Sequence, residues 1–398
     1  MRRIAEFIGL SFFFAIVIGS AFLGGYYARA LSGDFPWLRL PLPGLANADG
    51  QYALLTEVSG LLQSHYNGAL PDDKTLARGA ARGYVSAVGD PYTVLVDPPA
   101  AELESQSLQG EYGGIGVDIR RNDKNEVALY PLPDSPARAA GVADGDILIA
   151  VDGQAITPQT TTDEVVALVR GRVDTTVTIT VRKGNGEERT LTLTRKPIPL
   201  PSITWQMVDG QPDIGLISLR RFSDKTPEEF KRAAKELQSA GAVRLVLDLR
   251  NNGGGLLDSA VDVAAQLLDG GVVLYEQGKT GPEKTYNAPA SGDPLTRLPL
   301  AVLINGNTAS ASEILAGALL DRDRAPLIGQ KTYGKGSVQF IFLLSDGSSL
   351  HVTANLWYTP EHHPLDKLGL QPTIPVAPAT DGQDAELARA VEYLMNGK

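Results

Sequence analysis

Along the second half of the chain, apolar runs and amphipathic stretches take turns. "DIGLISLRRF" (213–222) reads as a strand, "TPEEFKRAAKELQSAG" (226–241) as a helix, and "VRLVLDLR" (243–250) as a buried strand. The alternation continues through a helix, "LLDSAVDVAAQLLDGG" (256–271), a strand, "LPLAVLIN" (298–305), and a helix, "SASEILAGALLDRD" (310–323). The strands "APLIG" (325–329), "SVQFIFLL" (337–344) and "SSLHVTANLWYT" (348–359) follow. Such an order predicts an α/β core on a largely parallel sheet. "DAELARAVEYLMN" (384–396) predicts a last short helix, a docking or dimer-forming element.

Upstream the pattern is different. "GGIGVDIRR" (113–121), "EVALYPL" (126–132) and "DGDILIAVDG" (144–153) read as strands, and "DSPARAAGV" (134–142) has the Ser-Pro of a helix start. "TTDEVVALVRG" (161–171) predicts a helix, and "TVTITVRKGNGEERTLTLTR" (176–195) a hairpin turning at Gly184–Gly186. Two amphipathic stretches, 51–67 and 72–88, predict short helices that end at "GDPYT" (89–93). Before them, residues 33–50 are rich in Pro and Gly and read as a linker.

The N-terminus carries Arg2 and Arg3 ahead of an uncharged apolar run, Phe7 to Tyr27. A run of that length can span the roughly 30 Å hydrocarbon core as a helix, with its basic flank in the cytoplasm. A cleaved signal peptide is the alternative, with "ARA" (28–30) and "ANA" (46–48) as small-residue cleavage sites. Both readings put the working part outside the cytoplasm.

Composition removes several chemistries. The 398 residues include no cysteine, so disulfides, thiolate metal sites and cysteine nucleophiles are excluded. The four histidines, His65, His351, His362 and His363, stand in no metal-binding spacing, and no metal is expected. A net charge of −10 argues against a nucleic-acid partner.

Three stretches carry candidate chemistry. In "LDLRNNGGG" (247–255) a strand runs into three glycines whose backbone N–H groups suit either a tight turn or a developing oxyanion. In "INGNTASASEILAG" (304–317) Ser310 and Ser312 lie at a helix start. Ser310 with Glu313 forms an S-x-x-E capping box, and a nucleophile is the other reading. The third stretch, "GQKTYGKGSVQ" (329–339), comes within one residue of a P-loop. Gly336 replaces the required Ser/Thr, however, and a strand rather than a helix follows. Lys335 sits between two glycines with no acidic residue from Gln330 to Leu344. Desolvation there would lower its pKa and leave a neutral amine, a base in place of histidine.

Together these stretches resemble the carboxyl-terminal processing proteases, a Ser–Lys peptidase family. "YGGIGV", "SPARAAGVADGDILIAVDG" and the closing hairpin resemble a PDZ domain of the permuted bacterial type. The resemblance runs from about residue 52 to 376 and includes "GDPYTVLVDP" (89–98). It implies an α/β, crotonase-like protease core with an N-terminal helical segment, an inserted permuted PDZ domain and an N-terminal transmembrane helix. The corresponding boundaries are 1–30 for the membrane anchor or signal segment, 31–50 for the linker and 51–110 for the helical subdomain. The PDZ domain takes 111–198, the protease core 199–378 and the C-terminal helix 379–398.

By the same resemblance Ser310 is the nucleophile, Lys335 the base and Gln339, four residues on, the group that orients the Lys335 amine. Ala311 with Gly253 or Gly254 would form the oxyanion hole. Gly113, Gly114, Ile115 and Gly116 would form the loop that captures a peptide carboxylate. Thr308, at the first position of the serine motif, and Thr373, where the family has aspartate, depart from its pattern. No cofactor is implied. The expected partners are proteins or peptides with free C-termini, a membrane through the N-terminal helix, and a second copy in a homodimer. The rival readings are a non-catalytic PDZ adaptor on a degenerate core and a crotonase-like acyl-CoA enzyme.

Overall fold

The computed structural model describes residues 52–377 and 383–397. The apolar run 7–27 and the linker 31–50 lie outside the described residues. Within those residues no helix is long and apolar enough to cross a membrane. The chain divides into two units, residues 1–81 and 82–398. The first contains α1 (Ala53–His65) and the start of α2 (Asp73–Ser86), as the amphipathic pattern predicts.

The second unit opens with β1 (Val94–Val96) and α3 (Pro98–Leu108), then runs through β2 (Glu111–Gly114), β3 (Val117–Arg121), β4 (Val127–Pro131) and α4 (Pro136–Ala139). It continues with β5 (Asp146–Val151), β6 (Gln154–Ala155), α5 (Thr162–Val169), β7 (Thr176–Arg182), β8 (Glu188–Thr194) and β9 (Lys196–Pro199). Strands β3-β4-β5-β7-β8 form one antiparallel sheet in that order. Alternation along β7 buries Val177, Ile179 and Val181 and turns the threonines outward. The Ser-Pro signal is met at α4, where Ser135 Oγ accepts the Arg138 amide at 3.1 Å. "TTDE" starts α5 with a capping box, Thr161 N–H donating to Glu164 Oε2 at 2.6 Å and Glu164 N–H to Thr161 Oγ1 at 3.2 Å.

The remaining chain gives β10 (Ile203–Val208), β11 (Gln211–Leu219), α6 (Thr226–Ser239), β12 (Arg244–Asp248), α7 (Leu257–Leu267), β13 (Gly271–Gly278), β14 (Lys284–Ala288) and β15 (Leu300–Ile304). It ends with α8 (Ala311–Asp321), β16 (Leu327–Gly329), β17 (Ser337–Leu343), β18 (Ser349–Tyr358), β19 (Ile374–Pro375) and α9 (Ala385–Asn396). Six strands form a sheet in the order β10-β11-β12-β15-β16-β19. All its pairings are parallel except β10 with β11. Both faces are covered, which explains why the strands read as continuous apolar runs. Leu245 and Leu247 of β12 pack with Phe230, Val263 and Leu315 from α6, α7 and α8, while Val246 packs with Ala390 and Leu394 of α9. The last helix therefore docks on its own sheet, through those residues and through Arg250, which bonds Asp248, Asp384 and Glu386.

The strands β17 and β18 depart from the expected parallel arrangement. They pair antiparallel and join β1, β13 and β14 in a second sheet. Their link is the short turn around Gly347, which permits only a hairpin, since parallel strands need a long crossover. Because β1 precedes the β3–β8 sheet in the chain and pairs with β18, that sheet is an insertion between two parts of the same core.

Candidate active site

Parallel strands that lie side by side bring the turns that follow them to one end of the sheet, and β12, β15 and β16 are consecutive neighbours. The glycine turn follows β12, Ser310 follows β15 and Lys335 follows β16. Stretches far apart in sequence meet for that reason. Gly253, Gly255, Ser310, Ala311, Lys335 and Gln339 line one cleft of about 270 Å³.

Ser310 stands at φ 56° and ψ −121°. A non-glycine residue held there costs on the order of 1–3 kcal/mol, and surrounding bonds must sustain it. Its N–H donates to Glu313 Oε2 at 2.9 Å, and its carbonyl accepts the Glu313 and Ile314 amides at 2.7 and 3.0 Å. Ser312 is fully buried and its hydroxyl donates to the Asn252 carbonyl at 2.9 Å. Of the two serines, then, Ser310 lines the cleft and Ser312 ties the helix start to the neighbouring turn. Ala311 is the first residue of α8, so its N–H has no acceptor within the helix.

Asn252 was missed by the sequence reading, although Asn before Gly is a recognised turn-builder. It is fully buried. Its Nδ2 donates to the Leu219 carbonyl at 3.0 Å, its Oδ1 accepts the Gly254 amide at 2.9 Å, and its carbonyl accepts the Ala309 amide at 3.0 Å. The Gly254 N–H is thus spent on Asn252, whereas the exposed Gly253 amide donates to no protein acceptor among the described residues. Gly254 itself must be glycine. At φ +105°, a Cβ would meet Ser310 Cβ at 2.9 Å and the Ala311 nitrogen at 3.0 Å.

Lys335 is fixed by its backbone on both sides. Its N–H donates to Glu313 Oε2 at 2.9 Å and its carbonyl accepts from Trp357 Nε1 at 3.2 Å. The following glycine packs against the 365–369 loop, where a Cβ would lie 2.3 Å from the Asp366 nitrogen. Gly334 is held in the same way, with a Cβ 2.9 Å from the Gly369 nitrogen, so backbone packing accounts for both glycines of "GKG". Burial pushes the Lys335 amine below the ordinary lysine value, and the Glu104 charge opposes that fall. The ammonium lies 5.2 Å from the centroid of the Tyr92 ring and makes no ion pair among the described residues. Gln339 shares the cleft with Lys335, but its Nε2 donates to Ser337 Oγ at 2.9 Å. Lys335 and Gln339 do not share one regular strand, because β17 begins only at Ser337 and its register shifts between Val338 and Gln339. Glu104 and His351, joined at 3.0 Å, also line the cleft and were not read as site residues.

A second groove, of about 510 Å³, lies between α5 and the edge of β3 that has no strand partner among the described residues. Gly114, Ile115 and Gly116 line it, together with Val117, Ile119, Val166 and Val169. Gly113 stands apart, its amide donating to Gln106 Oε1 at 2.9 Å.

The model of peptidase family S41 matches residues 213–376, and that of the PDZ domain matches residues 127–183. A carboxyl-terminal-processing protease of Picosynechococcus sp. is 40% identical over 292 residues, covering 72% of this chain and 70% of that protein. Its counterpart in Synechocystis sp. is 37% identical over 326 residues, covering 79% and 75%. The chain belongs to peptidase family S41. Among solved structures, the photosystem II D1 C-terminal processing protease is 30% identical with a TM-score of 0.48, covering 84% of this chain and 90% of that one. This S41 chain is a serine-type peptidase with a PDZ domain, and its substrates are proteins.

Proposed function

We propose that Ser310 is the nucleophile and Lys335 the general base of an extracytoplasmic endopeptidase that cuts proteins near their C-termini. The observation that carries this reading is one cleft shared by Ser310, a desolvated lysine with no ion pair among the described residues, and Ala311, whose N–H has no acceptor within its helix. Ser310 Oγ attacks the scissile carbonyl as its proton passes to Lys335 Nζ. The oxyanion is held by the Ala311 N–H and the Gly253 N–H. Lys335 returns the proton to the leaving amine, and water then cleaves the acyl ester with Lys335 again as base. The uncharged run 7–27 supports a membrane anchor with the catalytic part outside the cytoplasm.

One observation favours a second base. His351 lines the same cleft and bonds Glu104, the arrangement of a histidine oriented by a carboxylate. Mass spectrometry of the fragments of an unfolded test protein with an apolar C-terminus separates the readings. Ser310→Ala should yield no fragments and His351→Ala should keep most activity. Loss in His351→Ala with activity retained in Lys335→Met would move the base to His351, and an active Ser310→Ala would remove the nucleophile assignment.

Because Lys335 must be neutral to accept a proton, activity should rise with pH through an apparent pKa below that of free lysine. Glu104 favours the charged amine, so Glu104→Gln should move this acid limb to lower pH. A limb in kcat/KM against pH that stays in place, or moves up, contradicts the assignment.

The groove beside β3 has the features of a strand-addition site lined by a carboxylate loop. We expect it to take free apolar C-termini. An amidated peptide should bind at least tenfold more weakly by fluorescence anisotropy, because backbone donors then lose a charged acceptor. Equal binding of the two forms means that Gly114–Gly116 is only a turn.

A further inference from the structure

We infer that Glu313 is a positioning residue, one buried carboxylate that fixes the backbone of the nucleophile and the backbone of the base relative to each other; this rests on the Ser310–Lys335 reading. Glu313 has no exposed surface. Its Oε2 accepts both the Ser310 N–H and the Lys335 N–H, each at 2.9 Å. Its Oε1 accepts the Thr332 hydroxyl at 2.5 Å and the Gly334 N–H at 2.8 Å.

A capping-box glutamate needs only the N–H of the residue three before it. That accounts for one of the four bonds. The other three come from a segment that begins 19 residues further on. Since Oε2 is shared, neither backbone can move away from the other without breaking a charge-assisted bond. The set is also chemically selective. Four donors converge on two oxygens, and only a group with acceptors at both positions satisfies them. Glutamine has the same shape, but its NH₂ must face two donors whichever way it turns. Among the described residues the carboxylate makes no ion pair, so its charge is used on these backbone and hydroxyl donors and not on the Lys335 ammonium. The strained φ of Ser310 and the path of the Lys335 loop are therefore set by the same atom.

The test is pre-steady-state acylation by a p-nitrophenyl ester, together with steady-state proteolysis, for wild type and Glu313→Gln. The folded fraction is checked by near-ultraviolet circular dichroism well below the melting temperature. We expect the variant to lose about 100-fold in kcat and in acylation rate, since small misplacements of reacting groups cost that much. KM should stay within about threefold. The acid limb should move to higher pH, because a released Lys335 returns toward water and its ordinary pKa. A residue that merely stabilised the fold would lower the melting temperature and leave kcat and the limb alone; that outcome overturns the proposal. If Glu313→Gln does not fold, Thr332→Val removes one donor at Oε1 without touching Ser310 or Lys335. It should lose about tenfold in kcat at unchanged KM, and wild-type kcat there overturns the proposal. Absence of a burst from Ser310 in the wild type overturns the dyad and this proposal with it. A burst of equal rate in wild type and Glu313→Gln overturns the positioning role alone.

Discussion

Lys335→Met should reduce proteolysis by about 10⁴-fold or more while leaving the fold intact. The loss follows from removing the proton acceptor from Ser310, since general-base catalysis supplies roughly 10²–10⁴-fold and an unactivated serine is a poor nucleophile. Folding should not suffer, because methionine keeps the aliphatic stem in a half-buried site and removes a charge that burial disfavours. The melting temperature should hold or rise. Lys335→Arg should be as inactive, because the guanidinium stays protonated at every working pH. Ser312→Ala supplies the control. Its hydroxyl bonds the Asn252 carbonyl, which keeps the Ala309 amide as a partner, so about 1 kcal/mol of stability and little activity should go. Loss of activity in Ser312→Ala with an active Lys335→Met would reverse the assignment of the site.

Gly254→Ala should cost about 10²–10³-fold in kcat, the scale of losing an oxyanion donor. The methyl group would enter a space bounded by the Ala309 carbonyl at 2.9 Å, Ser310 Cβ at 2.9 Å and the Ala311 nitrogen at 3.0 Å. None of these is the far end of a flexible side chain, so relief must come from moving the nucleophile, the Ala311 donor or the turn itself. The φ of +105° adds strain that alanine tolerates poorly. Gly253→Ala is the matched comparison. No heavy atom lies within 4 Å of its Cβ, and its amide is kept. It should therefore retain most activity. Wild-type kinetics in both variants would show that the glycine turn takes no part in the reaction.

The strands and helices of the core were legible because each buries a face with its own period, as the apolar runs of β12 and β15 and the stripe of α6 show. The turns were legible as punctuation, and their strand-to-helix placement pointed to Ser310 and the glycines. What could not be read is what depends on distant partners. The absence of acids near Lys335 in sequence was a real signal for an amine without an ion pair. It could not show that Glu104, more than two hundred residues upstream, faces the same amine. Glu313 looked like a local cap because the pattern S-x-x-E is local, whereas three of its four bonds come from the Lys335 loop. Gln339 was assigned by resemblance alone, and its bond to Ser337 could not be read, because β17 begins only at Ser337 and shifts register between Val338 and Gln339. The second sheet escaped because β13 and β14 are partly polar, and β13 joins that hairpin to the rest of the sheet through β18, far along the chain.

If Ser310 forms the acyl-enzyme with Lys335 as its base, the acyl group of a substrate must be found on Ser310. Wild type, Ser310→Ala and Lys335→Met are each exposed briefly to a p-nitrophenyl ester, quenched in acid and mapped by peptide mass spectrometry. Wild type should give a single acylated peptide with the group on Ser310, Ser310→Ala none, and Lys335→Met acylation slowed by orders of magnitude. An acyl group on any other residue, or acylation of Lys335→Met at the wild-type rate, would contradict that assignment.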